Sequence, residues 1–338
     1  MSDIYVSGAN GHLGWSIVQE LIKRGYSVRG SVTDLNDPVK TDRLKNAGIE
    51  VVEARLEDGD SIQKAVKGCK SIFHVAAPFM MYSKNPKKDI YDAAILGTKN
   101  IMEAARDNGI QKIIYTSSVG TLGESRNEDG FSTEEDLIEN PKLHYIRAKK
   151  DSEKLAWEYA EKYSIDVITV LPSGMIGPGF QRSTPTTEIF VKLFRNEIPV
   201  LPPFHLDYVD VRDVAKGHAD LFEKKDAKGR FILNGEGLHT KEVAQLLREE
   251  FPDMKIPHMI LPNWMMPAAV FFDLMESTVK GSKRLLTFDV VKEFGNGKMQ
   301  KYSSQKARRE INWNPRPVRE SFRDTIKWIE QNFKKKNR

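Results

Sequence analysis

Short runs of apolar residues alternate with amphipathic segments throughout the first half of the chain. The runs end at glycines or polar residues, as strands of a buried sheet do. Between them, apolar residues recur at intervals of three and four, which places them on one face of a helix. We predict strands at residues 4–6, 26–32, 49–52, 72–75, 112–116 and 167–171. We predict helices at residues 13–22, 40–46, 61–67, 90–108 and 145–163.

This alternation predicts an α/β fold, with a Rossmann-type doubly wound parallel sheet over residues 1–172. Beyond Pro172, prolines and glycines become frequent and the regular alternation stops. We expect a smaller, mostly helical substrate-binding domain over residues 173–338, with one more buried strand at residues 231–233. Its predicted helices cover residues 211–224, 240–251, 264–280 and 318–333.

The composition excludes several classes of protein. The chain has 338 residues, 40% of them hydrophobic, which is enough for a sizeable core. Lys and Arg number 52 against 47 Asp and Glu, and a net charge of +5 at this length predicts no nucleic-acid partner. The basic run at residues 334–338 ends the chain and is typical of a solvated terminus.

The remaining composition favours a cytoplasmic protein. A single cysteine, Cys69, excludes a disulfide framework and suits a reducing compartment. The seven histidines lack the spacing of metal ligands, so we expect no metal site. No secretory signal is visible, and prolines and polar residues interrupt the most apolar stretch, residues 259–275, so we expect no membrane association.

A glycine-rich loop joins the first predicted strand to the first helix. Gly8, Gly11 and Gly14 follow the spacing Gly-x-x-Gly-x-x-Gly. Glycines at this turn allow a tight bend, close approach of the backbone to a pyrophosphate and close packing of helix on strand. The helix N-terminus also presents free N–H groups to an anion. We predict that this loop binds a dinucleotide through the three glycines and the intervening Asn10, His12 and Leu13.

The end of the second strand bears on which dinucleotide binds. A site for NAD usually has a carboxylate there to bind the ribose 2′-hydroxyl, but Val32 and Thr33 occupy the position. A 2′-phosphate requires positive charge instead, which Lys40, Arg43 or Arg29 could supply. We therefore expect NADP(H) as the preferred cofactor, with NAD(H) as the alternative.

A tyrosine, a lysine and a serine form the candidate catalytic set. Tyr145 and Lys149 are four residues apart, which places both side chains on one helix face. A phenol has a pKa of about 10, and a neighbouring ammonium and an oxidised nicotinamide favour the phenolate. Lowering that pKa by about 3 units takes about 4 kcal/mol, and several converging charges could supply it. Ser117 and Ser118 end the preceding strand, where ligands of open α/β sheets bind, and we assign Ser118 to the chemistry.

Taken together, the motifs resemble those of the extended short-chain dehydrogenases/reductases of the NAD-dependent epimerase/dehydratase superfamily. Within it, the chain is most similar to dihydroflavonol-reductase-like carbonyl reductases. The matching segments are SGANGHLG at 7–14, KGCKSIFHVAAP at 67–78, IIYTSSVGTLG at 113–123, YIRAK at 145–149, LPSGMIGPG at 171–179 and YVDVRDVAKGH at 208–218.

The resemblance implies a role for each candidate residue. Tyr145 would be the general acid, Lys149 its partner and a ligand of the cofactor ribose, and Ser118 the anchor of the substrate carbonyl. Further cofactor contacts would come from Thr33, Lys40, Leu56, Ala76, Ala77 and Pro172. It also implies that a segment near residues 206–236 returns to the first domain, and it allows a homodimer formed through helices on the flank of the sheet.

The chain departs from the family pattern at several positions. Thr33 stands where these reductases usually have the arginine that binds a 2′-phosphate. Arg55 replaces the usual aspartate before Leu56, near the adenine. Ser7 replaces the usual threonine that begins the glycine loop, and His12 stands where an aromatic residue is common. The candidate catalytic residues match the pattern.

The function predicted is NADP(H)-dependent reduction of a small-molecule ketone or aldehyde, with Tyr145 as proton donor. Phe79 is assigned to the substrate pocket, and the apolar residues Met80, Met81, Tyr82, Met265, Met266, Phe271 and Phe272 are either further pocket wall or ordinary core. The alternatives are an NAD-dependent nucleotide-sugar epimerase, a hydroxysteroid-dehydrogenase-like oxidoreductase acting on an alcohol, or a catalytically idle dinucleotide sensor.

Overall fold

The computed structural model describes residues 3–126, 128–280, 284, 286–294 and 300–333. The basic run at residues 334–338 lies outside this part of the chain. The strands are β1 (Ile4–Ser7), β2 (Val28–Val32), β3 (Glu50–Glu53), β4 (Ser71–His74), β5 (Lys112–Thr116), β6 (Phe131–Ser132), β7 (Asp166–Pro172), β8 (Gly174–Ile176), β9 (His205–Asp210), β10 (Gly229–Leu233), β11 (Glu236–His239) and β12 (Lys301–Tyr302).

The helices alternate with these strands in the first half and dominate the second. They are α1 (His12–Lys23), α2 (Pro38–Asn46), α3 (Gly59–Val66), α4 (Ala93–Asp107), α5 (His144–Tyr163), α6 (Pro185–Phe194), α7 (Val211–Glu223), α8 (Thr240–Glu250), α9 (Met266–Lys280), α10 (Phe288–Phe294), α11 (Gln305–Ile311) and α12 (Val318–Asn332). A π-helical segment at Lys87–Asp92 leads into α4, and single 3-10 turns occur at Val119–Thr121 and Asn263–Met265. No helix within the described residues is long and apolar enough to cross a membrane.

Seven strands form one parallel sheet in the order β10-β7-β5-β4-β1-β2-β3. These are the seven strands predicted from the apolar runs, so the Rossmann-type prediction is confirmed. The direction of chain progression reverses between β1 and β4, which are neighbours in the sheet. Ligands of such sheets bind in the crevice beyond the carboxyl ends of the strands at this reversal.

Helices cover both faces of the sheet, each through its apolar stripe. On one face, α1 and α7 pack on the strands, with residues such as Ile17 and Val214 fully buried. On the other face, α3, α4 and α5 bury a second cluster that includes Ile101 and Ala156. Burying one such aliphatic side chain contributes about 1.5–3 kcal/mol. These two apolar layers hold the strand ends, and hence the crevice, in place.

The second half contains more strand than the sequence predicts. A small sheet of β8, β9 and β11 forms there, with β9 parallel to β8 and antiparallel to β11. Helices α6, α8 and α12 pack around it in a third apolar cluster. The prediction of a mostly helical region is therefore incomplete, because residues 174–176, 205–210 and 236–239 become strands by pairing across distant parts of the chain.

Part of the second half joins the large sheet. Strand β10 pairs with β7 and completes the sheet, while α7 packs against α1. A partly buried ion pair ties α7 to the C-terminal region, where Arg316 donates to both carboxylate oxygens of Asp213, each bond 3.0 Å long. Both halves thus share one core at this side, although the division into domains at residue 172 stays a prediction.

We expect Phe322→Ala to lower the free energy of unfolding by about 3–5 kcal/mol, because the truncation leaves a cavity in the third cluster. Phe322 is fully buried, and its ring centroid lies 5.3 Å from that of Phe190 and 5.1 Å from that of Tyr208. Urea denaturation followed by fluorescence measures the effect. Phe272→Ala is the matched control, since Phe272 is 71% exposed and its removal should change the free energy of unfolding little. Equal effects of the two variants would contradict this packing.

Candidate active site

The glycine loop lies where β1 meets α1, and its glycines are required by close contacts. Gly8 has a φ of +66°, and a Cβ there would lie 3.0 Å from the Cβ of Ala76, which follows β4. A Cβ on Gly14 would lie 2.1 Å from the carbonyl oxygen of Gly8. Side chains at these two positions would force apart the first turn of α1, the end of β1 and the segment after β4. The loop therefore leaves its backbone open toward the crevice.

The N-terminus of α1 has the features of an anion site. Its cap residue, Gly11, provides no side-chain hydrogen bond, and the first turn contains no acidic residue. The free N–H groups and the partial positive charge of the helix end are thus available to a pyrophosphate. The geometry of the loop and the helix end together fit a dinucleotide.

His12 and Leu13 can contribute only their backbone to such a ligand. The His12 Nε2 atom lies 3.1 Å from the carbonyl oxygen of Pro178, and its ring packs edge-on against Phe180. Burial lowers the pKa of His12 to about 4, so the ring is neutral at pH 7. The side chain of Leu13 lies in the core cluster beneath α1.

The three cations considered for a 2′-phosphate differ in their partners. Arg29 pairs with Glu50 at 2.8 Å, and Lys40 lies 3.5 Å from Asp37. Thr33, at the end of β2, is exposed and carries no charge.

Arg43 has a different environment. Its guanidinium donates to the carbonyl oxygens of Asn10 and Gly179, the latter at 2.7 Å, and lies 4.8 Å from the ring centroid of Trp15. Within the described residues, no carboxylate lies within ion-pair distance of it. Burial lowers the pKa of Arg43 to about 10, which leaves the group charged at neutral pH. Arg43 is therefore an uncompensated positive charge beside the glycine loop.

Tyr145 and Lys149 occupy adjacent turns of α5 and line one pocket. The Lys149 side chain is buried and donates to the carbonyl oxygen of Thr116, at the end of β5, over 2.7 Å. The same pocket is lined by three of the predicted cofactor residues, Leu56, Ala76 and Ala77. The structure thus brings together residues from four separate segments of the chain.

Ser7 and His74, the last residues of β1 and β4, contact each other beside this pocket. The Ser7 hydroxyl lies 3.0 Å from Nδ1 of His74 and accepts from the backbone N–H groups of Val75 and Ala76. Burial lowers the pKa of His74 to about 3, so the ring is neutral. These contacts position the segment that faces Gly8. The sequence shows both residues but does not indicate that they are bonded to each other.

Ser117 and Ser118 have different surroundings. The Ser117 hydroxyl is buried and donates to the Glu153 carboxylate over 2.6 Å. The Ser118 hydroxyl is partly exposed and accepts from the backbone N–H of Gly120 at 3.1 Å. It also interacts with the Tyr145 hydroxyl, whose pKa it lowers. Of the two serines, Ser118 therefore faces the tyrosine.

Burial dominates the electrostatics of the pair on α5. It raises the pKa of Tyr145 well above its ordinary value, and the bond with Ser118 offsets only part of this rise. It lowers the pKa of Lys149 to about 8, against the opposing effect of Glu153. The expected lowering of the tyrosine pKa is thus not found in the protein alone, because the effect of burial outweighs that of the bond with Ser118. The phenol is protonated at neutral pH.

Apolar side chains surround the exposed side of Tyr145. The ring of Phe79 lies 4.9 Å from that of Tyr145. A cluster that the tyrosine joins also contains Phe204, Met266 and Val290, from three further segments. The sequence indicates Met266 but not Phe204 or Val290, which are brought here only by the fold.

Several apolar residues assigned to the pocket wall or core lie elsewhere. Phe271 and Phe272 are 57% and 71% exposed on the outer face of α9, so they belong to neither. Met80 and Tyr82 are also exposed, whereas Met81 packs against the cluster around Tyr145. The helical spacing of α9 was predicted, but the face that it buries is the one with Met266 and Val270. Pro172 lies at the end of β7, paired with Leu233 of β10.

A family model, described as the NAD dependent epimerase/dehydratase family, matches residues 4–234. The chain belongs to this family. It is accordingly an NAD(P)-dependent enzyme of the oxidoreductase type, and the resemblance inferred from its motifs is confirmed.

Individual members show the extent of the similarity. The chain is 30% identical over 268 residues to the cinnamoyl-CoA reductase CAD2 of Medicago truncatula, covering 75% of this chain and 82% of that protein. It is 30% identical over 270 residues to the bifunctional dihydroflavonol 4-reductase/flavanone 4-reductase of Malus domestica, covering 75% and 78%. Gre2 of Candida albicans, solved in complex with NADPH, superposes with a TM-score of 0.77 at 26% identity, covering 99% of this chain and 100% of that one.

We expect Gly14→Ala to abolish dinucleotide binding, because its Cβ would lie 2.1 Å from the Gly8 carbonyl oxygen and displace the loop. Fluorescence titration with NADPH measures binding, and circular dichroism checks that the variant is folded. The control is Gly59→Ala, at the start of α3, where a Cβ would meet only Asn100 at 3.4 Å. Unchanged NADPH affinity in the folded Gly14→Ala protein would contradict the role assigned to the loop.

Proposed function

We propose that the protein is an NADPH-dependent reductase of ketone or aldehyde groups on apolar small molecules. The observation that carries this proposal is that Tyr145 and Lys149 line one pocket beyond the end of β5, while the Ser118 hydroxyl interacts with the hydroxyl of Tyr145. That pocket lies beside the segment that contacts Gly8. A hydride acceptor, a proton donor and a cofactor would meet there.

Each residue has a distinct task in this proposal. The bound nicotinamide supplies the hydride. Tyr145 donates its proton to the carbonyl oxygen, and the phenol is protonated before that transfer because burial raises its pKa. Ser118 donates a hydrogen bond to the same oxygen and holds it near the tyrosine. The Lys149 ammonium, fixed by the Thr116 carbonyl, stabilises the negative charge left on the phenolate.

Arg43 supports a preference for NADPH over NADH. It is the cation of the three candidates that lacks a carboxylate partner, and it borders the loop at Asn10. An anion beside it would compensate a partly buried charge. We assign Arg43 to the binding of the 2′-phosphate, the role of the family arginine whose position Thr33 occupies. Lys40 also pairs with Asp37, so we assign it a weaker contribution to phosphate binding.

The surroundings of Tyr145 bear on the alternatives. Tyr145 joins an apolar cluster that contains Phe204, Met266 and Val290, and its ring packs on Phe79, which favours an apolar substrate over a nucleotide-linked sugar. A hydroxysteroid-dehydrogenase-like reaction would use the same residues in the direction of oxidation, and substrate assays in both directions distinguish it. The apolar cluster that Tyr145 joins suits either of these oxidoreductase functions.

We expect Tyr145→Phe to lower kcat for carbonyl reduction by about 10²–10⁴-fold, because general acid catalysis contributes on that order. The NADPH Kd should change little, since the phenyl ring still packs on Phe79. Steady-state assays with a panel of apolar ketones and aldehydes, together with fluorescence titration, measure both. A fully active variant would refute the proposed mechanism, and a dinucleotide sensor would keep its output in this variant.

We expect Arg43→Gln to raise the NADPH Kd by roughly 10–100-fold, because a hydrogen bond to a charged group contributes about 1.5–3 kcal/mol. The NADH Kd should change much less, since NADH has no 2′-phosphate. Lys45→Gln is the control, as Lys45 is exposed on the same helix. Equal losses for NADPH and NADH would show instead that Arg43 only holds the loop or contacts the pyrophosphate.

A further inference from the structure

A buried ion pair lies directly behind the candidate catalytic residues. Glu153 on α5 is only 4% exposed, and its Oε1 atom accepts from Nε of Arg230 on β10 at 2.7 Å. Arg230 also donates to the carbonyl oxygen of Glu134 over 2.5 Å. Such a pair is seldom worth more stability than apolar residues of the same volume, so its presence here requires a further reason.

The pair contacts the chain on both sides of Ser118. Glu153 accepts from the Ser117 hydroxyl at 2.6 Å. Arg230 donates to the Thr121 hydroxyl at 2.7 Å, and Thr121 in turn donates to the backbone carbonyl of Ser118 at 2.9 Å. The residue before Ser118 and the turn after it are thus bound to one ion pair. Apolar side chains could not provide these bonds.

Glu153 also acts on Lys149 through its charge. The two residues are four apart on α5, so their side chains are neighbours on one helix face. The carboxylate raises the pKa of Lys149 and opposes the effect of burial. The other groups facing the ammonium are Tyr115 on β5, whose ring centroid lies 6.0 Å away, and the neutral His74 on β4. Glu153 therefore favours the charged form of this lysine.

We propose that Glu153, held by Arg230, is a positioning residue that sets both the placement of Ser118 and the charge of Lys149. This inference rests on the proposed function for the roles of those two residues. It assigns Glu153 no contact with substrate or cofactor. Substitutions should therefore separate the effect of the Glu153 charge from that of its hydrogen bond with Ser117.

Glu153→Gln removes the charge and keeps the shape of the side chain. We expect the upper limb of the pH profile of kcat/KM for reduction to move down by about half a unit or more, since Lys149 then loses its proton at lower pH. Ser117→Ala removes the hydrogen bond to Glu153 and keeps the charge of the Glu153 carboxylate. It should lower kcat several-fold and leave the pH profile in place. Glu153→Asp, which retains the charge, should restore the position of the pH limb.

Asp213→Asn is the matched control, because it weakens another ion pair, partly buried and outside the candidate site. It should lower the thermal midpoint without moving the pH profile. NADPH affinity measured from about pH 6 to pH 10 provides a readout that needs no turnover. As the pH is raised, the affinity of Glu153→Gln should begin to fall at a lower pH than that of the wild type. The reason is that Lys149, the proposed ribose ligand, loses its proton earlier in this variant.

The outcomes separate the two proposals. A folded Glu153→Gln protein whose pH dependences of kcat/KM and of NADPH binding both equal those of the wild type would overturn the role of Glu153. A shift no larger than that of Asp213→Asn would do the same. If the wild type reduces no carbonyl compound but the shift in NADPH binding is found, the proposed function fails while the electrostatic role of Glu153 stands.

Discussion

The close approach of α1 to the end of β1 is the constraint on which the rest of the site depends. Gly14 and Gly8 touch at a distance that admits no side chain, and Gly8 in turn lies against Ala76 after β4. This contact fixes the end of β1, the start of α1 and the segment after β4. These three segments border the crevice between β1 and β4, where the direction of chain progression reverses. The site is therefore built by backbone packing first, and the polar side chains are placed on that frame.

Burial is the second influence, and it acts on the two reactive groups in opposite senses. It raises the pKa of Tyr145 and lowers that of Lys149, because each shift disfavours the charged form. At neutral pH the tyrosine keeps its proton, while the lysine stays charged with the help of Glu153. Burial thus makes the proton of Tyr145 harder to release, and the proton of Lys149 easier to release, than in water.

Sequence patterns predict the frame better than the pocket. The seven strands, the glycine loop and the tyrosine–lysine pair follow from local spacing, since each depends on residues close together in the chain. Strands β8, β9 and β11 were missed because they form by pairing between segments that are distant in the chain. Phe204 and Val290 reach Tyr145 from distant segments, and the partner of Glu153, Arg230, lies 77 residues further along the chain. The exposure of Phe271 and Phe272 also escapes prediction, since helical spacing does not show which of two apolar faces is covered.

The late arrival of β10 has a consequence for how the chain folds. Strand β7 is buried along almost its whole length, yet one of its neighbours is made 57 residues later, after the chain has passed through β8, β9 and α7. Until then, β7 has an unpaired edge of exposed N–H and C=O groups, which favours association with other chains. During synthesis, the sheet cannot close before Leu233 has left the ribosome. In a fragment that ends at Pro172, this edge of β7 would stay unpaired. Such a fragment should aggregate rather than fold independently.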